Sequence, residues 1–114
     1  MKFFSVEKLF EAFPSLTGRP SSDHPAVNCP PDQLPGLARS LRDDWGFDFL
    51  IDVTAVDWEK ESPRFATVYH FYALQRRNYL RVVCPLADDE NPSAPSLASI
   101  WPGAGEQITL ESFK

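Results

Sequence analysis

The stretch FDFLIDVTAVD, residues 47–57, is the most informative one for the fold, because the hydrophobic period changes here from helical to strand-like. Apolar side chains alternate with mostly polar ones, which predicts a strand whose core face carries Phe47, Phe49, Ile51 and Val53. Two apolar stretches follow at short intervals, residues 65–74 and 79–86. Strands joined by such short links favour an antiparallel meander. In the last strand, the predicted core face carries Leu80, Val82, Cys84 and Leu86.

The N-terminal part predicts one helix and one short strand. Apolar side chains recur at helical spacing over residues 6–13, with Ser5 as the candidate N-cap. Residues 15–23 contain Gly, Pro and Ser and predict a loop. Residues 24–29 predict a short extended segment with Val27 in the core.

A second helix is predicted between this segment and Gly46, which is placed to end it in a left-handed conformation. Asp32 is the candidate N-cap, and Pro35 falls in the first turn, where a missing N–H is tolerated. The short strand, this helix and the strand from Phe47 form a β-α-β unit, whose right-handed crossover places the two strands parallel in one sheet. The predicted fold class is α+β, with a mixed four-stranded sheet and two main helices on one face.

Length and charge narrow the functional classes. The chain has 114 residues, which suits a single domain, and its formal net charge of -5 disfavours binding to a phosphate backbone. No stretch approaches the ~18 apolar residues of a membrane-spanning helix. We therefore predict a soluble domain that reaches a membrane only through partners.

The sequence gives little support for a metal site or for a nucleophilic catalytic residue. The chain has two cysteines and two histidines, and none of them forms a pair with zinc-ligand spacing. An iron–sulfur cluster normally requires four cysteines. His24 and Cys29 could be drawn as a catalytic pair, but residues five apart on a strand point to opposite sides. We interpret His70 as a strand histidine and Cys84 as a small buried side chain.

Two carboxylates and three tryptophans are the remaining candidates for a functional site. Asp52 and Asp57 could form an acid/base pair, but the favoured interpretation is that the Asp57 carboxylate ends the strand by accepting a hydrogen bond from the backbone of the following turn. Tryptophans next to polar positions often anchor a partner, and Trp58 and Trp101 fit this role. The interpretation of Trp45 as a core residue is at least as good.

Three segments, in order, resemble the 30 kDa subunit family of respiratory complex I, which is called the C subunit in bacteria. They are WGFDFLIDVTAVD at residues 45–57, RFATVYHFYAL at 64–74 and PSLASIWPGA at 95–104. Their order and spacing agree with the family from about Val6 to Gly103. We therefore predict a domain of this family over residues 1–103 and a divergent tail, which can be disordered, over residues 104–114.

The resemblance implies a subunit with no catalytic residue, cofactor or metal of its own. Such a subunit lies in the peripheral arm of NADH:quinone oxidoreductase, on the cytoplasmic face of the inner membrane. There it packs on the large quinone-site subunit and on the iron–sulfur subunits. The candidate partner-interface residues are Asp57, Trp58, Tyr69, Ile100 and Trp101.

One segment departs from the family pattern. The family's W-x-E-R-E motif and the long arm after it have no counterpart in residues 105–114. We expect a shortened subunit that could form a homodimer in isolation. Two alternatives stay open beside the scaffold role: the equivalent subunit of a membrane-bound hydrogenase, and a free-standing interaction module. A small enzyme using Cys29 or the two aspartates is the least favoured.

Overall fold

A computed structural model describes residues 5–58 and 64–86, which form two α-helices and a five-stranded sheet. In chain order the elements are α1 Val6–Ala12, β1 Thr17–Gly18, β2 Ala26–Asn28, a 3₁₀-helix Pro31–Gln33, α2 Leu34–Trp45, β3 Phe49–Asp57, β4 Phe65–Ala73 and β5 Asn78–Pro85. The strand order is β1-β2-β5-β4-β3. β2 and β5 pair in parallel, and the other neighbouring strands among the described residues are antiparallel.

The α+β class and the mixed sheet are confirmed, but the prediction of four strands is wrong. The additional strand, β1, lies inside the predicted loop 15–23, where Thr17 pairs with Asn28 and Gly18 pairs with Val27. Two residues cannot show a hydrophobic period, so only pairing with β2 defines this strand. β2 and β3 are parallel, as predicted, with β5 and β4 between them.

The first helix forms as its sequence predicts. The hydroxyl of Ser5 accepts a hydrogen bond from the backbone N–H of Lys8 at 3.4 Å. At the other end, the Phe13 N–H donates to the Leu9 carbonyl at 2.8 Å, and Pro14 follows. Leu9 is the buried residue of this helix.

The second helix begins differently from the prediction, because Asp32 does not cap it. Asp32 lies in the 3₁₀-helix, and Gln33 holds the cap position without a side-chain hydrogen bond. A cap at Asp32 would use the N–H of residue 34 or 35, but Pro35 has none and the Leu34 N–H donates to the Pro31 carbonyl. The helix ends as predicted at Gly46, whose φ of 72° is left-handed.

A β-bulge at Ile51 changes the predicted faces of β3. Leu50 pairs with Phe71 and Asp52 pairs with His70, which leaves Ile51 as the extra residue. Leu50 and Val53 pack against the core, whereas Phe49 and Ile51 are 48% and 54% exposed. The prediction that Phe49 and Ile51 face the core is therefore wrong, because the extra residue reverses the alternation.

The core lies between the two helices and one face of the sheet. It combines Leu9 of α1, five side chains of α2 and the inward positions of β2, β4 and β5. The predicted core residues of the last strand are all buried, namely Leu80, Val82, Cys84 and Leu86. Trp45 is also buried, which confirms its interpretation as a core residue.

Some predictions fall outside the described residues. These concern the motif at residues 95–104, with the candidate residues Ile100 and Trp101, and the tail 104–114. Among the residues that are described, no helix is long and apolar enough to cross a membrane.

Candidate partner-binding surface

The sheet has a second face, opposite the helices, which we call the outer face. The register places Phe49, Tyr72 and Tyr79 in one row across β3, β4 and β5. A parallel row contains Asp52, His70, Arg81 and Ala26. Because side chains alternate along a strand, these rows point away from the core positions.

One end of the outer face is aromatic. The rings of Tyr72 and Tyr79 lie 4.5 Å apart between centroids, and the His24 ring stacks on Tyr79 at 4.4 Å. Phe49 is 48% exposed and Tyr79 is 39% exposed. We call Phe49, Tyr72, Tyr79 and His24 the aromatic cluster. Together with the exposed Ile51, it forms the kind of apolar patch that is typical of interaction sites.

The middle of the outer face is charged. Arg81 donates two hydrogen bonds to Asp23, of 3.2 and 2.8 Å, from Nη1 and Nη2. These bonds, with those from Ser21 and the His24 backbone, hold the pKa of Asp23 well below its usual range. A shallow groove of about 400 Å³ runs over this region, between Ile51 and Tyr79, and is also lined by Asp52, His70 and the Asp23–Arg81 pair.

The other end of the outer face is crossed by a side-chain contact. Arg19 follows β1, and Trp58 follows β3, so the two residues adjoin opposite edges of the sheet. The guanidinium carbon of Arg19 lies 5.0 Å from the centroid of the Trp58 ring. Arg19 also donates to the side chain of Asn28 at 3.0 Å. Trp58, a candidate interface residue, is thus half-buried and already engaged within the chain.

Asp57 ends β3 in an ion pair. Its carboxylate accepts hydrogen bonds from Nε and Nη2 of Arg64 at 2.7 and 2.8 Å. The Trp58 N–H donates to the Arg64 carbonyl at 2.8 Å, and the Arg64 guanidinium also lies over the Phe65 ring. The bidentate geometry fixes both side chains where β3 ends and β4 begins.

The remaining candidate residues do not join this surface. Tyr69 is 2% exposed and belongs to the core, where burial raises its pKa to about 12. Ile100 and Trp101 lie outside the described residues. Asp57 and Trp58 adjoin in the chain but point to opposite faces of the sheet, with Asp57 on the face of Phe65, and Tyr69 lies inside the domain.

The catalytic arrangements considered from sequence are not assembled. Asp52 pairs across the sheet with His70, and Asp57 pairs with Phe65, so the two carboxylates point to opposite faces. Cys29 is buried in the core, whereas His24 stacks on Tyr79 at the outer face. Within residues 5–58 and 64–86, no group of three His, Cys, Asp or Glu side chains could hold a metal ion.

The comparisons with known proteins identify the family. Residues 27–107 match the family model described as respiratory-chain NADH dehydrogenase, 30 Kd subunit. The chain belongs to this family. It is also 39% identical over 102 residues to the C subunit of NADH-quinone oxidoreductase from Moorella thermoacetica, covering 90% of this chain and 68% of the relative. The 30 kDa family predicted from the three segments is therefore confirmed.

This chain spans only part of the length of its relatives. The C subunit of NADH-quinone oxidoreductase from Roseiflexus sp. is 38% identical over 87 residues, which cover 73% of this chain and 49% of that protein. A chain of an archaeal respiratory membrane complex, the membrane-bound sulfane sulfur reductase, has the same fold with a TM-score of 0.70. That match has 24% identity and covers 87% of this chain and 58% of the other. The domain thus corresponds to only part of a typical relative.

Sequence reasoning missed the aromatic cluster. Simple alternation assigns Phe49 to the core, and the bulge at Ile51 has no unambiguous signal in the sequence. A useful signal is nevertheless present in β4, which is apolar on both faces. An apolar outer face on the central strands indicates a sheet that is not simply solvated on that side.

Proposed function

We propose that this chain is a non-catalytic scaffold subunit in the peripheral arm of an NADH:quinone oxidoreductase. In this role it docks on the large quinone-site subunit and the neighbouring iron–sulfur subunits, and it supports electron transfer from NADH to quinone without carrying a cofactor. It sits at the cytoplasmic face of the inner membrane through these partners. Membership of the 30 kDa subunit family supports the proposal.

The observation that carries the docking role is the outer face. Its aromatic end exposes about half of the Phe49 and Ile51 side chains, at 48% and 54%. Burying such side chains against a partner is worth ~25 cal/mol per Å² of apolar surface. Within residues 5–58 and 64–86 the helices pack on the opposite face, so a partner on the outer face would not disturb the core.

The charged middle of the outer face supplies specificity rather than affinity. The Asp23–Arg81 pair is preformed, and Asp52 and His70 lie in the same groove. A partner that places a cation near Asp52 would be selected over one that places a carboxylate there. The Arg19–Trp58 contact fixes the far end of the face and so limits where a partner can lie.

The test is a tagged pull-down of the 114-residue chain from gently solubilised native membranes, followed by mass spectrometry. Recovery of the large quinone-site subunit with iron–sulfur subunits is expected. Recovery of a nickel-binding large subunit instead would assign the chain to a membrane-bound hydrogenase. Recovery of the chain alone, or as a homodimer, would overturn the scaffold role.

A paired variant links the result to the outer face. The double change Phe49→Ser and Ile51→Ser removes the exposed apolar side chains and should abolish recovery of the partners. The matched control, Arg39→Ser, alters an exposed position of α2 on the helical side of the domain and should leave recovery unchanged. If the double variant recovers the partners normally, docking does not use this end of the sheet.

A further inference from the structure

Cys29 and Cys84 face each other across β2 and β5, and we propose that they form a reversible oxidation site. A small hydroperoxide converts the two thiols into a disulfide that joins the N-terminal part of the sheet to the meander. This inference does not depend on the proposed scaffold role, because both thiols lie on the core side of the sheet and not on the outer face.

The strand register places the two cysteines side by side. Val27 pairs with Val82 and Asn28 pairs with Val83, and the Cys29 N–H continues the ladder by donating to the Val83 carbonyl at 2.8 Å. Cys29 and Cys84 therefore occupy the next paired position. They lie two residues beyond the Val27–Val82 pair and point to the same face.

The separation that this pairing implies suits a disulfide. Neighbouring strands lie about 4.8 Å apart, and disulfides join Cα atoms that are roughly 4.4–6.8 Å apart. Both side chains are fully buried in one hydrophobic cluster, and both thiols are free. They are also the two cysteines of the whole chain, so an intramolecular disulfide has one possible pairing.

A cavity lies next to Cys29. It has a volume of about 260 Å³ and is lined by Cys29, Thr17, Asn28, Pro30 and Pro85, among others. This volume is several times the ~30 Å³ that a water molecule occupies in the liquid. Hydrogen peroxide, which is only slightly larger than water, fits in this cavity, and because Cys29 is 0% exposed, it reaches the thiol through a local opening of the fold.

The reaction balances with hydrogen peroxide as the oxidant. The Cys29 thiolate attacks one peroxide oxygen, the O–O bond breaks, and protonation gives a sulfenic acid and one water molecule. The Cys84 thiolate then attacks the sulfenic sulfur, the S–O bond breaks, and a second water leaves. Overall, two thiols and one peroxide give one disulfide and two waters, and a dithiol reductant reverses the change.

The surrounding groups make this oxidation slow at neutral pH. Burial, with added effects of Cys84 and Asp32, raises the pKa of Cys29 to about 12. Burial raises the pKa of Cys84 to about 11, against a lowering effect of the Thr67 hydroxyl and a raising effect of Asp32. Tyr69 faces the same cluster and stays neutral. Because only the thiolate reacts, the rate should rise about tenfold per pH unit between pH 7 and 9.

The disulfide would stabilise the pairing of β2, in the N-terminal part of the chain, with β5 of the meander. Of the strands in the described residues, β2 reaches the meander only through β5, with three paired positions. A bond from Cys29 to Cys84 closes a loop of roughly 55 residues, which restricts the unfolded chain strongly. The oxidised protein should therefore unfold at a temperature higher by about 5 °C or more.

The test treats the folded wild-type chain with hydrogen peroxide at several pH values and follows its intact mass. The expected product is monomeric, lighter by about 2 Da as one disulfide requires, and is restored by dithiothreitol. The thermal midpoint should be higher without reductant than with it. The single variants Cys29→Ala and Cys84→Ala each keep one thiol and should give no such product.

Three results would overturn the proposal. One is a wild-type product that gains oxygen on separate cysteines without losing about 2 Da. Another is a disulfide that joins two chains. The third is a rate that reaches a plateau near about pH 8.5, as for an exposed thiol. The wild-type mass measurement decides the matter even if a variant fails to fold.

Discussion

Arg19 and Trp58 connect the two edges of the sheet across its outer face, with the guanidinium carbon 5.0 Å from the centroid of the indole ring. The two residues are far apart in sequence and adjoin β1 and β3, which are the outermost strands. Arg19 also donates a hydrogen bond to the side chain of Asn28 in β2. The contact therefore ties the short N-terminal strand to the meander on the side that the helices do not cover.

We predict that this contact contributes measurably to stability. A cation over a tryptophan ring contributes about 0.5–1 kcal/mol when partly exposed. In urea unfolding, Arg19→Gln and Trp58→Leu should each destabilise the domain, and the double variant should be less destabilised than their sum by about that amount. Strictly additive losses would show that the two side chains do not interact. Arg39→Gln, on the exposed side of α2, is a control for loss of a surface charge.

The bulge at Ile51 leads to a second prediction, which concerns two adjacent residues. Leu50 packs against the core and Ile51 is 54% exposed. Leu50→Ala should lower the free energy of unfolding by about 2 kcal/mol or more, whereas Ile51→Ala should change it by less than about 0.5 kcal/mol. Urea titration of the two variants measures both values. The reverse order would restore the simple alternation that the sequence suggests and remove the bulge.

Gly36 within α2 and Gly46 at its end should respond in opposite ways to alanine. Gly46 has a φ of 72°, and an L-residue there costs about 1–2 kcal/mol. Gly36 is helical, and a Cβ placed on it would lie 3.8 Å from Cε1 of Phe13, an ordinary contact. Gly36→Ala should therefore raise stability by about 0.5–1 kcal/mol. Thermal melts of the two variants provide the measurement, and a destabilised Gly36→Ala would mean that α1 and α2 pack more tightly than described.

Alkaline pH should destabilise the domain through its buried thiols. Burial raises the pKa of Cys29 to about 12 and of Cys84 to about 11, whereas an unfolded cysteine titrates near about pH 8.5. A raised pKa in the folded state gives stability that is complete below the unfolded pKa. That stability is lost as the pH rises towards the folded values, by up to roughly 1.4 kcal/mol per pH unit for each thiol.

The measurement is the urea midpoint at pH 7, 9 and 10 with a reductant present. The wild type should lose stability steadily above about pH 9. The double variant Cys29→Ala and Cys84→Ala starts from a lower stability, because it loses packing, but should show a shallower decline. Equal slopes for the two proteins would mean that burial does not raise the pKa of the two thiols in the folded protein.

Features that depend on neighbouring residues could be predicted from the amino-acid sequence. The helical stripe and Ser5 indicate α1, Gly46 indicates the end of α2, and the alternation in β5 places Val82 and Cys84 in the core. The family also follows from the sequence, because three motifs in order carry more information than any one of them. The signals for the individual elements are each complete within about ten residues, so no partner strand is needed to interpret them.

Features that depend on distant pairing required the assembled fold. β1 exists because β2 offers it an edge, and Phe49 and Ile51 face outward because β3 gains one residue relative to β4. The same dependence brings Arg19 to Trp58 and Cys29 to Cys84. The register between strands is set by the whole sheet and its core, and a shift of one residue reverses every side chain. Local periodicity therefore predicts the three strands of the meander, and only the assembled sheet determines which side chains face a partner.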